Sequence, residues 1–457
     1  MSDKDKTAPQ NERIFFVGIG GISMSSLAHM ALSDGKKVAG SDRTASAATE
    51  ALEKAGAEII IGHFSESVRG SDLVVYTAAV SQTSPELAEA KRLSIPMLSR
   101  GEYLGRVMLD YQKRIGISGT HGKTTTTTLL SHIALSEGCN PTVMNGALSK
   151  TLAGKAYRIG KKELFLYEAC EYKASFHDFH PTTAVITGVE LDHTDYYRNL
   201  DHMIEAFRLS LKEAKIAIIN ADDEGAMRAV NGFTGKTVTF SLTKNADYQA
   251  ENVVFDGGVT RFVLIAKGKR YPVTLPLLGA FNVANALAAL AAASENGIAL
   301  DSACASLATF EAPDRRFNTV YHGKFLLADD YAHHPSEITA TLIGARALVK
   351  GKGRLIVVFQ SHTYTRTNDL FDDFKEALSR ADLIYMPDIF AAREVNTVGV
   401  SSEKLCRAIG DKARYIESFE AIADILLEIC GEGDVVITMG AGDVYKVGRI
   451  LKEKLNA

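Results

Sequence analysis

The chain has 457 residues, a length that suggests about three domains, each long enough to bury its own core. Its hydrophobic share of 46% and charged share of 23% are ordinary for a globular protein. The net charge of −4 excludes a global basic field of the kind that binds nucleic acid or anionic membranes. We therefore expect neither a nucleic-acid partner nor a membrane partner.

The cysteine content and the length of the apolar runs indicate the cellular compartment in which the protein is expected. The five cysteines are odd in number and scattered, with no C-x-x-C pair, which argues against a disulfide framework or a cysteine zinc site. Residues 1–10 are polar and are expected to form a disordered tail rather than a signal peptide. No apolar run approaches the roughly 20 residues that a membrane span needs. We expect a cytoplasmic protein, either a monomer or a homodimer.

The first glycine turn follows a strand of buried type at residues 14–17. A helix from about Met24 and a strand at residues 37–40 complete a βαβ unit, with Asp42 just beyond it. Such turns bind a diphosphate at the helix N-terminus, and an acid placed like Asp42 can meet a ribose hydroxyl. The spacing is G-x-G-G-x-S, which fits a dinucleotide or a nucleotide-sugar diphosphate. The candidate ligands are Gly18, Gly20, Gly21, Ser23, Met24 and Asp42.

Strand-like and helix-like segments alternate from this unit to about Arg106. The alternation predicts an open parallel sheet with helices on both faces. We place the end of the first domain at residue 107.

A second glycine loop opens the next domain. An apolar strand at residues 115–118 enters it and a helix leaves it, which is the order of a phosphate-binding loop. In such a loop the backbone N–H groups attract phosphate, the lysine reaches the terminal phosphates and the next hydroxyl holds Mg²⁺. The strict motif fails because Ile117 occupies its first glycine position, leaving a shorter Gly-x-x-Gly-Lys-Thr. The ATP-binding candidates are Gly119, Thr120, His121, Gly122, Lys123, Thr124 and Thr125.

Acids and a histidine follow two further strands. Glu168 and Glu171 lie at the end of the strand at residues 163–168, and His193 follows the strand at residues 184–189. Because ligands gather beyond the carboxyl ends of parallel strands, these groups suit Mg²⁺ shared with phosphates. The alternative is that they are ordinary acids of surface loops.

A change of pattern marks residues 237–275, where short strands separated by turn residues predict an antiparallel β insertion. An alanine-rich helix then starts near Gly279, with Asn282 and Asn285 in its first turn. Their amides can read the edge of a base or cap the helix, and the sequence leaves both alternatives open.

Residues 313–318 predict a hinge into a third α/β unit, a small doubly wound sheet. The strand at residues 325–328 precedes Asp330, His333 and His334, which could bind a metal or line a substrate loop. Arg366 lies in the polar stretch that follows the next strand.

In combination these motifs resemble the Mur ligase family. The likeness runs from residue 14 to about residue 450, and residues 18–25 and 359–367 are similar to those of the family's first member. The other motifs that carry it are residues 119–125, 192–193, 279–285, 315–317 and 330–335.

The resemblance implies three α/β domains. These are an N-terminal Rossmann-like parallel sheet, a central P-loop ATPase-like domain with an antiparallel β insertion, and a C-terminal Rossmann-like domain. On this basis we assign residues 1–107 to UDP-sugar binding, residues 108–318 to ATP binding and residues 319–457 to amino-acid binding.

The resemblance also implies an activity, ATP-dependent ligation in peptidoglycan precursor synthesis. With Mg²⁺ as cofactor, ATP would phosphorylate the lactyl carboxylate of UDP-N-acetylmuramate, and L-alanine would attack the acyl phosphate. The implied catalytic residues are Lys123, Glu171 and His193, with Thr124 and Glu171 on one Mg²⁺ and His193 on a second. The implied binding residues are Asn282, Asn285, Arg316 and Asp330 for ATP, and His333, His334 and Arg366 for the amino acid.

Two alternatives remain at this point. One is a recycling ligase that adds a whole tripeptide to the same UDP-sugar, and the other is a non-catalytic scaffold that binds ATP and a UDP-sugar. Several positions depart from the family pattern. The run at residues 168–172 differs from the commoner acidic run, which leaves the choice between Glu168 and Glu171 as metal ligand open. Arg208 stands where several relatives carry a carbamylated lysine, so we expect no such modification, and Phe281 stands where a histidine is common.

Overall fold

The computed structural model describes residues 11–77, 80–81, 83–194, 196–256, 258–392 and 394–456. The expected tail at residues 1–10 lies outside these ranges. Within them the chain forms three sheets that follow one another along the sequence, each with its own helices. The predicted class, α/β with three domains, is confirmed.

The first sheet is parallel throughout. Its strands are β1 (Arg13–Val17), β2 (Lys37–Asp42), β3 (Glu58–Ile61), β4 (Leu73–Tyr76) and β5 (Met97–Ser99). Its helices are α1 (Ile22–Ser33), α2 (Ala47–Lys54), α3 (Pro85–Arg92) and α4 (Arg100–Met108). The strand order β3-β2-β1-β4-β5 reverses at β1, so a crevice opens beyond its carboxyl end, where the first glycine turn lies.

The central sheet has ten described strands. They are β6 (Lys113–Ser118), β7 (Thr142–Ser149), β8 (Lys155–Arg158), β9 (Leu164–Glu168), β10 (Thr183–Ile186), β11 (Ile216–Asn220), β12 (Lys236–Ser241), β13 (Tyr248–Asp256), β14 (Val259–Ala266) and β15 (Lys269–Leu275). The helices are α5 (Lys123–Ser136), α6 (Leu200–Ser210), α7 (Glu224–Ala229), α8 (Ala280–Glu295) and α9 (Leu300–Ser306). β6 pairs in parallel with β9 and β10, so the loops after these three strands open at one edge.

The predicted antiparallel insertion is a continuation of this sheet, and its first strand is assigned wrongly by the sequence pattern. β12 pairs in parallel with β11, because α7 provides a crossover between them. β13, β14 and β15 are antiparallel, as predicted. The tight turn between β14 and β15 has positive φ at Lys267 and Gly268, which suits a two-residue hairpin.

The third sheet has the order β16-β17-β21-β18-β19-β20 and is parallel except for its first strand. Its strands are β16 (Asn318–His322), β17 (Leu326–Asp330), β18 (Leu355–Phe359), β19 (Leu383–Met386), β20 (Ala413–Tyr415) and β21 (Val435–Met439). Its helices are α10 (Pro335–Arg346), α11 (Tyr364–Asp369), α12 (Phe371–Leu378), α13 (Ser402–Ile409), α14 (Phe419–Ile429) and α15 (Tyr445–Asn456).

The hydrophobic cores join the first two domains more closely than the third. One buried cluster continues from Phe16 and Leu104 of the first domain to Phe165 and Phe207 of the central domain. The two clusters of the third domain draw on residues from Phe317 onward. Among the described helices, none is long and apolar enough to span a membrane.

Candidate active site

The loop between β6 and α5 is shaped by two glycines. Gly119 and Gly122 have φ values of +136° and +84°, a region that favours glycine. A Cβ atom at Gly122 would lie 2.3 Å from Oδ1 of Asn285, so the glycine also lets α8 approach the loop. α5 begins at Lys123, and its N-terminal end offers free N–H groups and positive potential. The loop therefore has the strand–glycine–helix geometry predicted from the sequence.

Lys123 lies in a buried ion pair with Glu171. Its Nζ atom is 2.9 Å from Oε1 of Glu171, and the two side chains are 17% and 2% exposed. Lys123 also donates to the carbonyls of Gly119 and Thr120. Burial alone would lower the pKa of Lys123, but the Glu171 carboxylate together with Cys170 and Glu168 nearby raises that pKa above its ordinary value. Burial alone would raise the pKa of Glu171, but Lys123 and then His193 hold it below its ordinary value.

The Glu171 carboxylate has the features of a cation ligand. Its Oε1 atom is 3.4 Å from Nε2 of His193. Its Oε2 atom is buried and has no hydrogen-bond partner within the described part of the chain. A buried, charged oxygen without a partner is costly, and a cation that prefers oxygen ligands satisfies it. These residues therefore fit Mg²⁺.

Glu168 is already engaged in hydrogen bonds. Its carboxylate accepts from the N–H of Gly146 at 2.5 Å and from the hydroxyl of Thr124. Burial raises its pKa in spite of these donors. Of the two acids that the sequence left open, Glu171 is the one with a free oxygen.

A cavity of about 360 Å³ lies between the central and third domains. Asn282 and Asn285 are nearly buried in its wall, where the Asn282 amide donates to the carbonyl of Leu278 at 2.8 Å. Gly279 occupies the N-cap position of α8, and no side chain there makes a capping hydrogen bond. The alternative that the asparagines cap the helix is therefore wrong. Other predicted residues that line the cavity are His121, Gly122, Thr125, Arg316 and Asp330.

Two hinge-side residues reach this cavity. Nη2 of Arg316 is 3.4 Å from the hydroxyl of Thr124, which brings the hinge to the loop between β6 and α5, called the nucleotide loop below. The Asp330 carboxylate accepts from the N–H groups of Phe317 and Ala332 at 2.8 and 2.7 Å. Burial raises the pKa of Asp330 to about 6. Arg316 thus lies near both Thr124 and Asp330, and the contact of these residues with ATP stays a prediction.

The structure separates the two adjacent histidines of the third domain. The ring of His334 lies 4.8 Å from that of His121 in the nucleotide loop. The ring of His333 lies 6.2 Å from that of His362, on the side of Arg366. Burial lowers the pKa of both His333 and His362 to about 4, so both imidazoles are neutral at pH 7. Of the pair predicted at the amino-acid side, only His333 groups with Arg366.

Arg366 ties the third domain to the central one. Its Nη2 and Nε atoms are 2.9 and 3.2 Å from Oδ1 of Asp192, and both side chains are largely buried. Burial would raise the pKa of Asp192, but the Arg366 guanidinium holds it well below its usual range. Asp192 directly precedes His193, so the interdomain contact adjoins the proposed metal ligand.

The first glycine turn, after β1, is fixed by a hydrogen bond to Asp42. Gly18 has a φ of +81°, and the N–H of Gly20 donates to Oδ2 of Asp42 at 2.8 Å. Gly21 is the N-cap residue of α1. The Asp42 carboxylate therefore fixes the turn, and its predicted contact with a ribose hydroxyl stays a prediction.

The start of α1 also faces the central domain. Arg100 donates to the hydroxyl of Ser23 at 3.2 Å and to that of Ser175 at 3.4 Å. Ser175 belongs to the 3₁₀ helix Tyr172–Asp178, which follows Glu171 directly. Met24 is buried in the shared core. Arg100 thus connects the first turn with the segment that carries the metal candidate.

The sequence interpretation missed Glu337. Its Oε1 atom is 3.0 Å from Nδ1 of His121, and Oε2 accepts from the N–H groups of His333 and His334. It stands at the third helical position of α10, after a proline at the first. A proline followed by an acid at this spacing is a helix-start signal that could have singled it out.

These features define a three-domain α/β protein with a P-loop type of nucleotide site in a cleft between domains. Three family descriptions match the chain in succession. They are "Mur ligase family, catalytic domain" at residues 13–112, "Mur ligase middle domain" at residues 117–293 and "Mur ligase, glutamate ligase domain" at residues 315–442.

Relatives match over almost the whole chain. The UDP-N-acetylmuramate–L-alanine ligase of Clostridium novyi (strain NT) is 42% identical over 456 residues, covering 97% of this chain and 98% of that protein. The protein of the same name from Clostridium acetobutylicum is 41% identical over 455 residues, again covering 97% and 98%. The crystal structure of the UDP-N-acetylmuramate-alanine ligase of Thermotoga maritima has a TM-score of 0.82 and 28% identity, covering 97% and 99%. The chain belongs to the Mur ligase family, which confirms the resemblance carried by its motifs.

Proposed function

We propose that this chain is an ATP-dependent ligase that joins L-alanine to the lactyl carboxylate of UDP-N-acetylmuramate. The observation that carries this choice of substrates is the 42% identity, over 98% of its length, to a ligase named for that reaction. The site supports the same class of chemistry, because the side chains of Lys123, Glu171 and His193 lie together beside the loop between β6 and α5.

The reaction forms two bonds in turn. A carboxylate oxygen of the UDP-sugar attacks the γ-phosphorus of ATP, and the bond to ADP breaks, which leaves an acyl phosphate. The uncharged amine of L-alanine then attacks the acyl carbon, and the tetrahedral intermediate expels phosphate. Positioning and charge stabilisation supply most of the catalysis in phosphoryl transfer.

Lys123 and Glu171 exchange partners in this scheme. Without ligands each neutralises the other inside the loop. With ATP bound, the ammonium turns to the phosphates and the carboxylate becomes available as a metal ligand. Mg²⁺, held by Thr124 and Glu171 with a second ion at His193, would neutralise charge on the transferring phosphoryl group.

The remaining residues are assigned to binding. The asparagine pair in the cavity wall, Asn282 and Asn285, would contact adenine, and Arg316 and Asp330 would close on ATP. The first glycine turn would take the uridine diphosphate. His333, His334 and Arg366 would serve the amino-acid side, with His334 nearer the nucleotide. We propose the cytoplasm as the compartment, where ATP is available.

A panel of acceptors tests the function. The full chain is incubated with ATP, Mg²⁺ and UDP-N-acetylmuramate, with L-alanine, glycine, L-serine or a peptidoglycan tripeptide as acceptor, and phosphate release is measured. We expect release with L-alanine and none when the UDP-sugar is omitted. Release with the tripeptide alone would overturn the proposal in favour of the recycling ligase, and no release with any acceptor would favour the scaffold.

A further inference from the structure

A second polar cluster joins the central and third domains and shares no residue with the proposed Mg²⁺ site. Nε2 of His121 is 3.5 Å from Oε2 of Glu190, and Nδ1 of His334 is 3.9 Å from the same oxygen. One ligand atom from each of the three residues lies within 4.8 Å of the others. The hydroxyl of Ser336 is 3.0 Å from His121 and 2.8 Å from His334.

Two of these separations, 3.5 and 3.9 Å, are slightly longer than those of a tetrahedral metal site, so small side-chain movements would bring the donors onto one ion. With metal–ligand bonds of about 2.0–2.1 Å, neighbouring donors lie roughly 3.4 Å apart. Two imidazole nitrogens and one carboxylate oxygen form a donor set that Zn²⁺ and related transition metals prefer, whereas Mg²⁺ prefers oxygen. The Ser336 hydroxyl is within hydrogen-bond distance of both imidazoles, so either this hydroxyl or a water can supply a fourth ligand.

Neighbouring residues restrict the orientation of the two histidine rings that belong to the cluster. Oε1 of Glu337 is 3.0 Å from Nδ1 of His121, an ion-pair distance, and the other ring nitrogen, Nε2, is on the side of Glu190. Glu337 is itself fixed by the N–H groups of His333 and His334. The His334 side chain is 8% exposed, which restricts its ring. A carboxylate behind a ligating histidine is the usual outer partner of such sites.

We propose that His121, Glu190 and His334 bind a transition-metal dication, represented by Zn²⁺. His121 follows β6 and Glu190 follows β10 in the central domain, whereas His334 precedes α10 in the third. The bound ion therefore links the two domains. His121 and Glu190 also line the cavity between the central and third domains, so the bound ion would lie beside a nucleotide in that cavity. The inference does not depend on the proposed ligase reaction.

The test uses the full chain, stripped of metal by a chelator and free of nucleotide. Zn²⁺ is titrated against a chromophoric chelator in saturating Mg²⁺, which occupies the proposed site at Glu171 and His193, and we expect one bound equivalent. Glu190→Gln and His334→Gln should each weaken binding at least about 10-fold. Glu190 is 46% exposed, so its isosteric variant is expected to fold, which circular dichroism checks. His202→Ala, at an exposed position of α6, and His193→Ala should keep the wild-type affinity.

Co²⁺ gives a second readout. The wild type should show the visible absorption bands of a tetrahedral nitrogen–oxygen site, and His334→Gln should lose them. Wild-type Zn²⁺ affinity in both Glu190→Gln and His334→Gln would overturn the assignment. So would loss of binding in His193→Ala with retention in His334→Gln, or no bound equivalent in the wild type.

Discussion

The Nζ atom of Lys123 and the Oε1 atom of Glu171 lie 2.9 Å apart and connect the nucleotide loop with the segment after β9. Each group is proposed to leave the other when substrates bind, the lysine for phosphate and the carboxylate for Mg²⁺. Breaking a buried pair by removing one member is costly, because the other charge is left without compensation.

Lys123→Met should lower turnover about 10²–10³-fold, the effect typical of losing one preorganised charge-stabilising group. The thermal midpoint should also fall, because Glu171 keeps its buried charge without its main partner. The double variant Lys123→Met/Glu171→Gln should recover the midpoint but not the turnover. Lys212→Met removes an exposed lysine just after α6 and should behave as wild type. Near wild-type turnover in Lys123→Met would contradict the assignment.

Gly122→Ala should abolish nucleotide binding, as measured by calorimetric titration with an ATP analogue. The added methyl group would meet Asn285 at 2.3 Å, and the backbone φ is +84°. Gly138→Ala is the matched control, because its φ is +73° and nothing lies within 4 Å of the new atom. Both variants carry a strain of about 1–2 kcal/mol from the left-handed backbone, but only the first meets a clash. Equal nucleotide affinity in the two variants would refute the packing argument.

His193→Ala should raise the Mg²⁺ concentration for half-maximal turnover by about 10-fold or more, as loss of a group that supports a metal site does. The His193 ring contacts Glu171 directly, so its removal also loosens that carboxylate. His202→Ala should leave the Mg²⁺ titration unchanged. An unaltered titration in His193→Ala would count against this site.

The contact between the first two domains should weaken in acid. The ring of His29 in α1 stacks on Tyr157 of β8, with centroids 4.9 Å apart. Burial and then nearby Lys155 lower the pKa of His29 below its ordinary 6.5. A histidine with a lowered folded pKa gives stability that is present above pH 6.5 and is lost as the pH falls through the folded value.

His29→Gln should therefore show a smaller fall in thermal midpoint than the wild type between pH 7 and pH 5. Differential scanning fluorimetry across this range measures the difference. His202→Gln should keep the wild-type pH dependence. Parallel curves for His29→Gln and the wild type would show that His29 does not contribute.

Short motifs in the sequence predicted much of the fold and the geometry of the loop between β6 and α5. The glycines, Lys123 and Thr124 lie close together in sequence, so their arrangement follows from one strand–loop–helix unit. Contacts between residues far apart in the sequence could not be predicted in the same way, because tertiary packing decides them. Whether Asn285 capped α8 or faced a cavity depended on how closely the loop approached, which Gly122 decides. The pairing of β12 depended on the crossover by α7, and the division of His333 from His334 depended on the start of α10.

The unequal sharing of apolar cores has a consequence for cooperativity. The buried cluster that runs from Phe16 to Phe207 gives the first and central domains a common interior, so neither can lose its packing without exposing the other. The third domain keeps its interior to itself and meets the central domain through polar side chains such as Arg366 and Asp192. By its sheets the protein has three domains, but from the way its apolar cores are shared we expect it to unfold as two cooperative units.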